Sequence, residues 1–213
     1  MELKGVKIGF ILTGSFCTFK NTIPKIKELV EKGADVLPIM SYNAYNTDTK
    51  FGNAQDFIEE IQEITKKEII HTITDAEPIG PKKMTDVMVI APASGNTMAK
   101  LANDIIDTPA TMSAKSHLRN SRPLVIAPST NNGLSANAVN IAKLLNRKNY
   151  YFVPFRQDNP ITKPRSIAFD PEYICKTIEY ALDGKQIQPI LLWIWNFYKR
   201  HPKWVPLNQK IAL

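Results

Sequence analysis

Hydrophobic residues occur along the chain in short continuous runs that alternate with segments of helical spacing. Runs at 6–12, 35–40, 86–91, 123–127 and 150–153 are apolar on both sides, which is typical of parallel strands buried between helices. The segments between them repeat apolar residues every three or four positions, as amphipathic helices do. This alternation predicts a doubly wound α/β domain, Rossmann- or flavodoxin-like, with a mainly parallel sheet and helices on both faces.

Three predictions concern segments whose pattern is less regular. Because proline is poorly tolerated inside a helix, Pro24 predicts a turn followed by a separate helix rather than one continuous helix. Residues 155–166 contain Pro160 and Pro164 and are predicted to form a stiffened loop that could cover a ligand. The helix predicted after the fourth strand has one core face, made of Ala138, Ile141, Ala142 and Leu145.

The length of 213 residues and the hydrophobic content of 44% suit one domain with a core of its own. The net charge of +7 is uneven, because residues 185–213 carry five Lys and Arg, no Asp or Glu, and all three Trp. Residues 1–184 are therefore left with only +2 of the +7, which argues against a nucleic-acid-binding surface on the domain. We predict an α/β domain over 1–184 and a basic, Trp-bearing tail over 185–213.

The tail and the cysteine content bear on location. The apolar stretch 190–198 has about half of the roughly 20 residues that a membrane-spanning helix needs, so no membrane span is expected. Three interpretations of the tail are compatible with its sequence: it contacts another protein, it rests on a membrane surface, or it is an aberrant extension. Two cysteines are too few for a disulfide framework, and no targeting signal is recognisable, so we expect a cytoplasmic protein.

Ligands of doubly wound sheets bind at the carboxyl ends of the strands, here the loops 13–20, 41–52, 92–97 and 128–134. In the first loop, backbone N–H groups at Gly14 and the hydroxyls of Thr13, Ser15 and Thr18 could hold a phosphate. No lysine follows Gly14 and no G-x-G-x-x-G occurs, which argues against a nucleotide-hydrolysing loop and against a dinucleotide fold. A plain strand-to-helix turn remains the alternative.

Two further loops are similar to each other. Each follows a buried strand with Ala-Pro and then small and amide residues, a combination that lets a flat ring approach and offers hydrogen bonds to its edge. Together they suggest a planar heterocycle, although each alone is also compatible with ordinary turn chemistry. The candidate ligands in these loops are Ala93, Ser94, Asn96, Thr97, Ser129 and Thr130.

A few single residues are candidates for reactivity. Cys17 is a candidate catalytic thiol near a helix N-terminus, with a small buried residue as the alternative, whereas Cys175 is expected in the core. The three histidines have no partner at metal-ligand spacing, so no metal site is predicted. Lys115 and Arg119 lie four apart on a predicted helix 109–119 and could grip an anion or simply be solvated.

The motifs Thr13-Gly14-Ser15, Ser41, Pro92 to Lys100 and Ala127 to Asn131 resemble the flavoprotein family that contains the flavin-dependent cysteine decarboxylases. Within it, residues 14–19, 76–82, 155–160 and 163–164 resemble the branch that forms pyridine-2,6-dicarboxylate. The resemblance covers about residues 4–191, and the order and spacing of the motifs make it specific.

The resemblance implies an FMN site. Gly14, Ser15 and Ser41 would hold the phosphate and ribityl chain, the 93–97 loop would lie against the ring, and Ser129 and Thr130 would close the pocket. Asn96 joins Cys17 as a catalytic candidate. The decarboxylases carry a catalytic His shortly before the third strand, and because residues 77–81 contain none, decarboxylation by that route is not expected.

For the dicarboxylate-forming branch, the resemblance implies oxidation of a dihydro precursor in bacterial sporulation. It also implies a separate nucleotide-binding subunit, which supplies NADP, and a homo-oligomer. The substrate carboxylates require cations, and the candidates are Lys100, Lys115, Arg119, Arg156, Lys163 and Arg165. A stand-alone FMN-dependent decarboxylase or prenyltransferase relative, and a non-catalytic scaffold protein, are the alternatives.

Overall fold

One seven-stranded sheet runs through the computed structural model, which describes residues 3–192. The strands are β1 (Lys7–Leu12), β2 (Asp35–Met40), β3 (Val87–Ala93), β4 (Leu124–Thr130), β5 (Tyr150–Phe152), β6 (Phe155–Asn159) and β7 (Lys163–Phe169). The helices are α1 (Phe19–Glu31), α2 (Tyr42–Asn46), α3 (Ala54–Thr65), α4 (Ile73–Ala76), α5 (Gly95–Ala102), α6 (Pro109–Leu118), α7 (Ala138–Leu145) and α8 (Ile174–Leu182).

The first five strands form the parallel part of the sheet, in the order β2-β1-β3-β4-β5. The chain passes from β1 outward to β2 and then crosses back to β3 on the other side of β1, so the winding direction reverses between β1 and β3. Helices α1 and α8 pack on one face, and α5, α6 and α7 pack on the other. The predicted doubly wound α/β fold is therefore confirmed.

The core lies on both faces of the central strands. Every residue of β3 is buried, and β1 is buried from Ile8 to Leu12. Burying a Leu, Ile or Phe side chain contributes about 1.5–3 kcal/mol, which explains why the most apolar runs occupy the centre. The polar loops are thereby carried to the strand ends.

The predicted break at Pro24 is wrong, because α1 is a continuous helix that contains this proline. Phe19, Ile23 and Ile26 are all buried on its inner face, so packing favours an unbroken helix. Pro24 and Lys20 are both exposed, and water can therefore bind the Lys20 carbonyl that loses its partner.

The predicted core face of α7 is also wrong. Ile141 and Leu144 are the buried residues of this helix, whereas Val139 and Leu145 are 57% and 45% exposed. The sequence of α7 is apolar around most of its circumference, so its periodicity does not distinguish the inner face from the outer one.

Residues 155–166 are not a loop. They belong to an antiparallel hairpin in which β6 pairs with β7, and β7 pairs through Ala168 and Ile167 with Ser129 and Thr130 at the end of β4. The short polar strand β6 lacks the apolar alternation that signals a strand, so its pairing depends on the neighbouring chain segment.

The first part of the tail lies against the sheet. The Gln186 side chain accepts a hydrogen bond from Phe152 N (2.7 Å) and donates one to Phe152 O (2.8 Å), which caps the open edge of β5. Phe155 N donates to Ile190 O and Leu192 N donates to Phe155 O. The indole-bearing part of the tail, 193–213, lies outside the described residues. Across residues 3–192 no helix has the length and apolar character needed to cross a membrane.

Candidate functional site

A cleft of about 900 Å³ opens at the carboxyl ends of β1, β3 and β4. This position is the point where the winding direction of the sheet reverses, the usual ligand site of doubly wound folds. Its walls come from the loops after the three strands and from the β6–β7 hairpin. The predicted residues that line it are Gly14, Ser15, Cys17, Thr18, Ser94, Asn96, Ser129, Thr130, Arg156 and Lys163.

Thr13 fixes the spacing between two of these loops. Its side chain is completely buried, and Oγ1 donates to Pro92 O (2.7 Å) while accepting from Ser94 N (2.9 Å). Thr13 thus joins the end of β1 to the end of β3 and lies behind the cleft wall instead of lining it.

Ser15 makes the corresponding connection to β4. Its Oγ donates to Ser129 O at 2.7 Å, and the residue is half-buried in the cleft wall. Neighbouring Gly14 also lines the cleft, and a Cβ added there would be no closer than 3.7 Å to Asn43 or Phe16. The backbone at Gly14 therefore faces open space that a ligand can occupy.

Helix α5 directs its N-terminus at the cleft. Ser94 caps it by accepting from Thr97 N (3.3 Å), and the first turn contains no acidic residue. A helix N-terminus carries partial positive charge and free N–H groups, so this end favours an anion or an electron-rich ring edge. Asn96 lies in this first turn and is exposed in the cleft.

A polar cluster under the β4 loop is not evident from the sequence. Asn132 Oδ1 accepts from Thr130 Oγ1 (2.6 Å) and from Asn137 Nδ2 (2.7 Å), and Asn137 is 5% exposed. Gly95 packs directly against these three side chains. The run of amides after β4 is visible in the sequence, but the contact between them and Gly95 depends on the packing of α5 on the loop.

The hairpin contributes two cations, and each is already ion-paired. Arg156 Nη1 lies 2.8 Å from Asp170 Oδ2, and Lys163 Nζ lies 2.8 Å from Asp158 Oδ2. The hydrogen bond to Asp158 raises the pKa of Lys163, so this ammonium is charged at neutral pH. Each cation on this side of the cleft is therefore balanced by a carboxylate, which also holds it in place.

The other predicted site residues lie away from the cleft lining. Ser41 caps α2, and Ala93 and Thr97 are buried at the base of the loops. Lys100 Nζ is bound by both carboxylate oxygens of Asp107 at 2.7 Å. Lys115 and Arg119 lie on and just after α6, and neither lines the cleft. Arg165 is exposed on β7, also outside the lining.

Cys17 is exposed in the cleft wall, so the alternative of a buried packing residue is wrong. Cys175 is buried as predicted, and burial raises the pKa of its thiol to about 12. Cleft residues that sequence reasoning missed include Phe51, Asp158, Ser166 and Phe169. Asp158, Ser166 and Phe169 belong to the hairpin, whose strands the local pattern does not reveal.

The described histidines have structural roles. His117 is bonded to Thr85 Oγ1 (2.8 Å) and Pro123 O (2.9 Å), and burial lowers its pKa to about 4. His71 stacks on Tyr45 with ring centroids 3.9 Å apart. Within residues 3–192 no three His, Cys, Asp or Glu side chains are grouped as metal ligands.

The model of the family described as Flavoprotein matches residues 1–178. The chain belongs to the Flavoprotein family. It is 46% identical over 191 residues to the B subunit of dipicolinate synthase from Bacillus subtilis strain 168, covering 90% of this chain and 96% of that protein. The crystal structure of the corresponding B subunit from Bacillus halodurans superimposes with a TM-score of 0.84 at 46% identity, over 91% of this chain and 99% of that one.

A solved structure of lower identity shares the fold alone. The FMN-dependent cysteine decarboxylase SpaF superimposes with a TM-score of 0.63 at 20% identity, over 85% of this chain and 98% of that one. The resemblance to the flavoprotein family that the loop motifs indicate is thus confirmed.

Proposed function

We propose that this protein is the flavoprotein subunit of a dipicolinate-forming enzyme that acts in bacterial sporulation together with a nucleotide-binding subunit, the A-type component of dipicolinate synthase. The proposal is carried by the 46% identity to the B-type component of that enzyme across 96% of its length. The reaction removes two electrons and two protons from a dihydrodipicolinate precursor and yields pyridine-2,6-dicarboxylate.

The cleft fits FMN in size and in chemistry. Its volume of about 900 Å³ lies within the range of about 300–1,000 Å³ that cofactor and small-molecule sites occupy. The N-terminus of α5, without an acidic residue in its first turn, and the open backbone at Gly14 suit a phosphate or a ring edge. When bound there, FMN would supply a two-electron acceptor, and NADP on the nucleotide-binding subunit would be the further acceptor.

We assign the contacts to the cofactor by position in the cleft wall. Gly14 and Ser15 would hold the phosphate, Asn96 would bond the ring edge, and Ser129 and Thr130 would close the pocket. Thr13 and Thr97 are buried outside the cleft lining and would act as positioning residues. The Thr13 hydroxyl joins the loops after β1 and β3, and the Thr97 hydroxyl bonds to that of Ser94, which caps α5. Ser41 would act through α2, which it caps.

The substrate dicarboxylate would bind on the hairpin side. An arginine has five N–H donors, so Arg156 can bind a substrate carboxylate while it keeps its bond to Asp170. Lys163 would take the second carboxylate. Cys17, exposed in the same cleft wall, is our candidate for accepting the ring proton, and Asn96 for orienting the ring.

The test is reconstitution from purified proteins. Dipicolinate formation is measured chromatographically with this chain only, with the nucleotide-binding subunit only, and with both, each with and without added FMN. We expect product at the full rate only with both proteins. If the nucleotide-binding subunit reaches the rate of the mixture without this chain, the catalytic role proposed for this chain is wrong.

Variants distinguish the cofactor site from the substrate site. Asn96→Ala should weaken FMN binding at least tenfold, measured by quenching of flavin fluorescence. Arg156→Ala should raise the KM for the precursor at least tenfold and leave FMN binding unchanged. Asn21→Ala, at the rim of the same cleft, serves as the control. Unchanged FMN affinity in the Asn96 variant contradicts the assigned site.

The assembly and the location are further parts of the proposal. We propose a homo-oligomer, which sedimentation equilibrium measures directly. Both cysteines are free thiols, which supports a reducing, cytoplasmic environment.

A further inference from the structure

One aromatic side chain in the cleft wall is left open to water. Phe51 lines the cleft and is 50% exposed, whereas Phe16 in the same wall is half-buried. A large aromatic ring that stays exposed forgoes the hydrophobic free energy that its burial would contribute. The wall at Phe51 therefore favours a ligand that presents an apolar, planar surface.

A tight turn holds Phe51 at the cleft. Thr49 and Gly52 exchange two backbone hydrogen bonds, at 3.0 and 3.1 Å, and Phe51 N donates to Thr49 Oγ1 at 3.1 Å. Asp48 Oδ1 accepts from Ala54 N at 2.8 Å, which ties the turn to the beginning of α3. The protein's own bonds thus fix the backbone of Phe51 without help from a ligand.

Gly52 anchors the turn to the aromatic residues beneath it. A Cβ at Gly52 would lie 2.6 Å from Phe57 Cζ, and the φ of +148° is one that residues with a side chain rarely adopt. Phe57 packs edge-on against buried Phe19 with ring centroids 5.1 Å apart, and Phe19 lies 5.4 Å from Phe16. Phe16 and Phe51 are therefore attached to the same aromatic cluster.

The charged residues of the cleft lie at its other side. Phe51 belongs to the loop after β2, whereas Arg156, Asp158 and Lys163 belong to the hairpin, and β2 and β6 are at opposite ends of the strand order. Of the described lining residues, those from the β1 loop, α1 and the loop after β2 include no Asp, Glu, Lys or Arg. This side of the cleft suits a neutral aromatic ring, and the hairpin side suits the carboxylates of the substrate.

The strand order places Phe51 and Asn96 at a separation that one ring system can bridge. Phe51 follows β2 and Asn96 follows β3, and these strands lie on either side of β1. Neighbouring strands are about 4.8 Å apart, so the two loops begin about 10 Å apart. The ring system of FMN consists of three fused rings, with a polar pyrimidine edge at one end and an apolar dimethylbenzene edge at the other.

We propose that Phe51 is a cofactor-binding residue, the aromatic wall against which the dimethylbenzene part of the flavin packs while the pyrimidine edge faces Asn96. This inference rests on the proposed function. It assigns a purpose to the built turn 48–52, which otherwise exposes an aromatic ring to water.

The experiment measures the Kd of FMN and of riboflavin, which has the same ring system and no phosphate, by isothermal titration calorimetry. The variants are Phe51→Ala and Phe51→Tyr, and the control is Tyr180→Ala. Tyr180 on α8 is 38% exposed and lies under Lys176 as Phe51 lies under Lys50, but it does not line the cleft. Circular dichroism verifies that every variant keeps the wild-type Tm.

We expect Phe51→Ala to raise the Kd of both flavins by the same factor, about tenfold, because both present the ring. Phe51→Tyr and the control should stay within twofold of the wild type. A Phe51→Ala protein that binds FMN like the wild type overturns the aromatic wall and leaves the proposed function intact. A loss confined to FMN indicates a contact near the phosphate and overturns the ring contact. A wild-type protein that does not bind FMN overturns both the wall and the proposed flavoprotein function.

Discussion

The substitution Gly95→Ala tests whether the contact between α5 and the β4 loop organises the site. A Cβ at this position would lie 2.5 Å from Thr130 Oγ1, 2.6 Å from Asn137 Nδ2 and 2.9 Å from Asn132 Oδ1. These atoms are bonded to one another at 2.6 and 2.7 Å, so none can retreat without breaking a hydrogen bond. The added methyl group therefore disrupts the polar cluster beneath the cleft.

The magnitude follows from the bonds at risk. Leaving a buried donor or acceptor unsatisfied costs about 1–3 kcal/mol, and Asn137 is almost completely buried. Loss of one or two bonds predicts that the free energy of unfolding falls by about 2–4 kcal/mol. For a chain of this length each kcal/mol lowers the Tm by about 2–4 °C, so a decrease of about 5–15 °C is expected.

The control is Gly14→Ala in the same cleft. Its added Cβ meets only ordinary contacts at 3.7 Å, and Gly14 does not occupy the left-handed backbone region. Gly14→Ala should keep the wild-type Tm by circular dichroism and still weaken FMN binding, because the methyl group occupies ligand space. A Gly95→Ala protein as stable as the Gly14→Ala protein would refute the role assigned to the polar cluster.

Three further predictions concern titratable groups and a helix end. Iodoacetamide should alkylate Cys17 in the folded protein and leave Cys175 unmodified until urea unfolds the chain, which mass spectrometry of the peptides measures. His117 has a folded pKa of about 4 and an ordinary unfolded value of 6.5, so the unfolded chain binds more protons between these pH values. Stability should therefore decrease as pH falls from 6.5 to 4, by up to about 3 kcal/mol, and urea titrations of His117→Gln should show a smaller decrease. Arg147→Ala should destabilise the protein by about 1–3 kcal/mol, because the guanidinium binds Asp104 and two carbonyls at the end of α5. Arg147→Lys should recover only part of this loss, since lysine lacks the planar fork, and urea unfolding of both variants measures the difference.

Much of the site could be located from the sequence, because its loops directly follow the buried strands. Gly14, Ser15, Asn96, Ser129 and Thr130 all line the cleft as that argument requires. Residue type did not reveal which hydroxyl groups line the cleft and which lie behind its wall.

Thr13 carries a hydroxyl group like Ser15 and Ser94, which line the cleft. The Thr13 hydroxyl is nevertheless bonded to the end of β3 and lies behind the cleft wall. That distinction depends on which groups across the sheet are close enough to bond. A similar limit applies to the cations, since Lys100 is as near the site in sequence as Arg156 and is turned toward Asp107 instead.

Local pattern alone indicated the parallel strands and the edge of the sheet where the ligand loops meet, because continuous apolar runs that alternate with amphipathic helices are typical of strands covered by helices on both faces. Only the tertiary structure decided the continuity of α1, the inner face of α7 and the β6–β7 hairpin. In each case the deciding free energy comes from contacts between segments distant in sequence. Buried Phe19 and Ile23 outweigh the cost of Pro24, and β4 pairs with β7, which in turn pairs with polar β6. A sequence shows which segments can fold in a given way, and long-range packing selects among them.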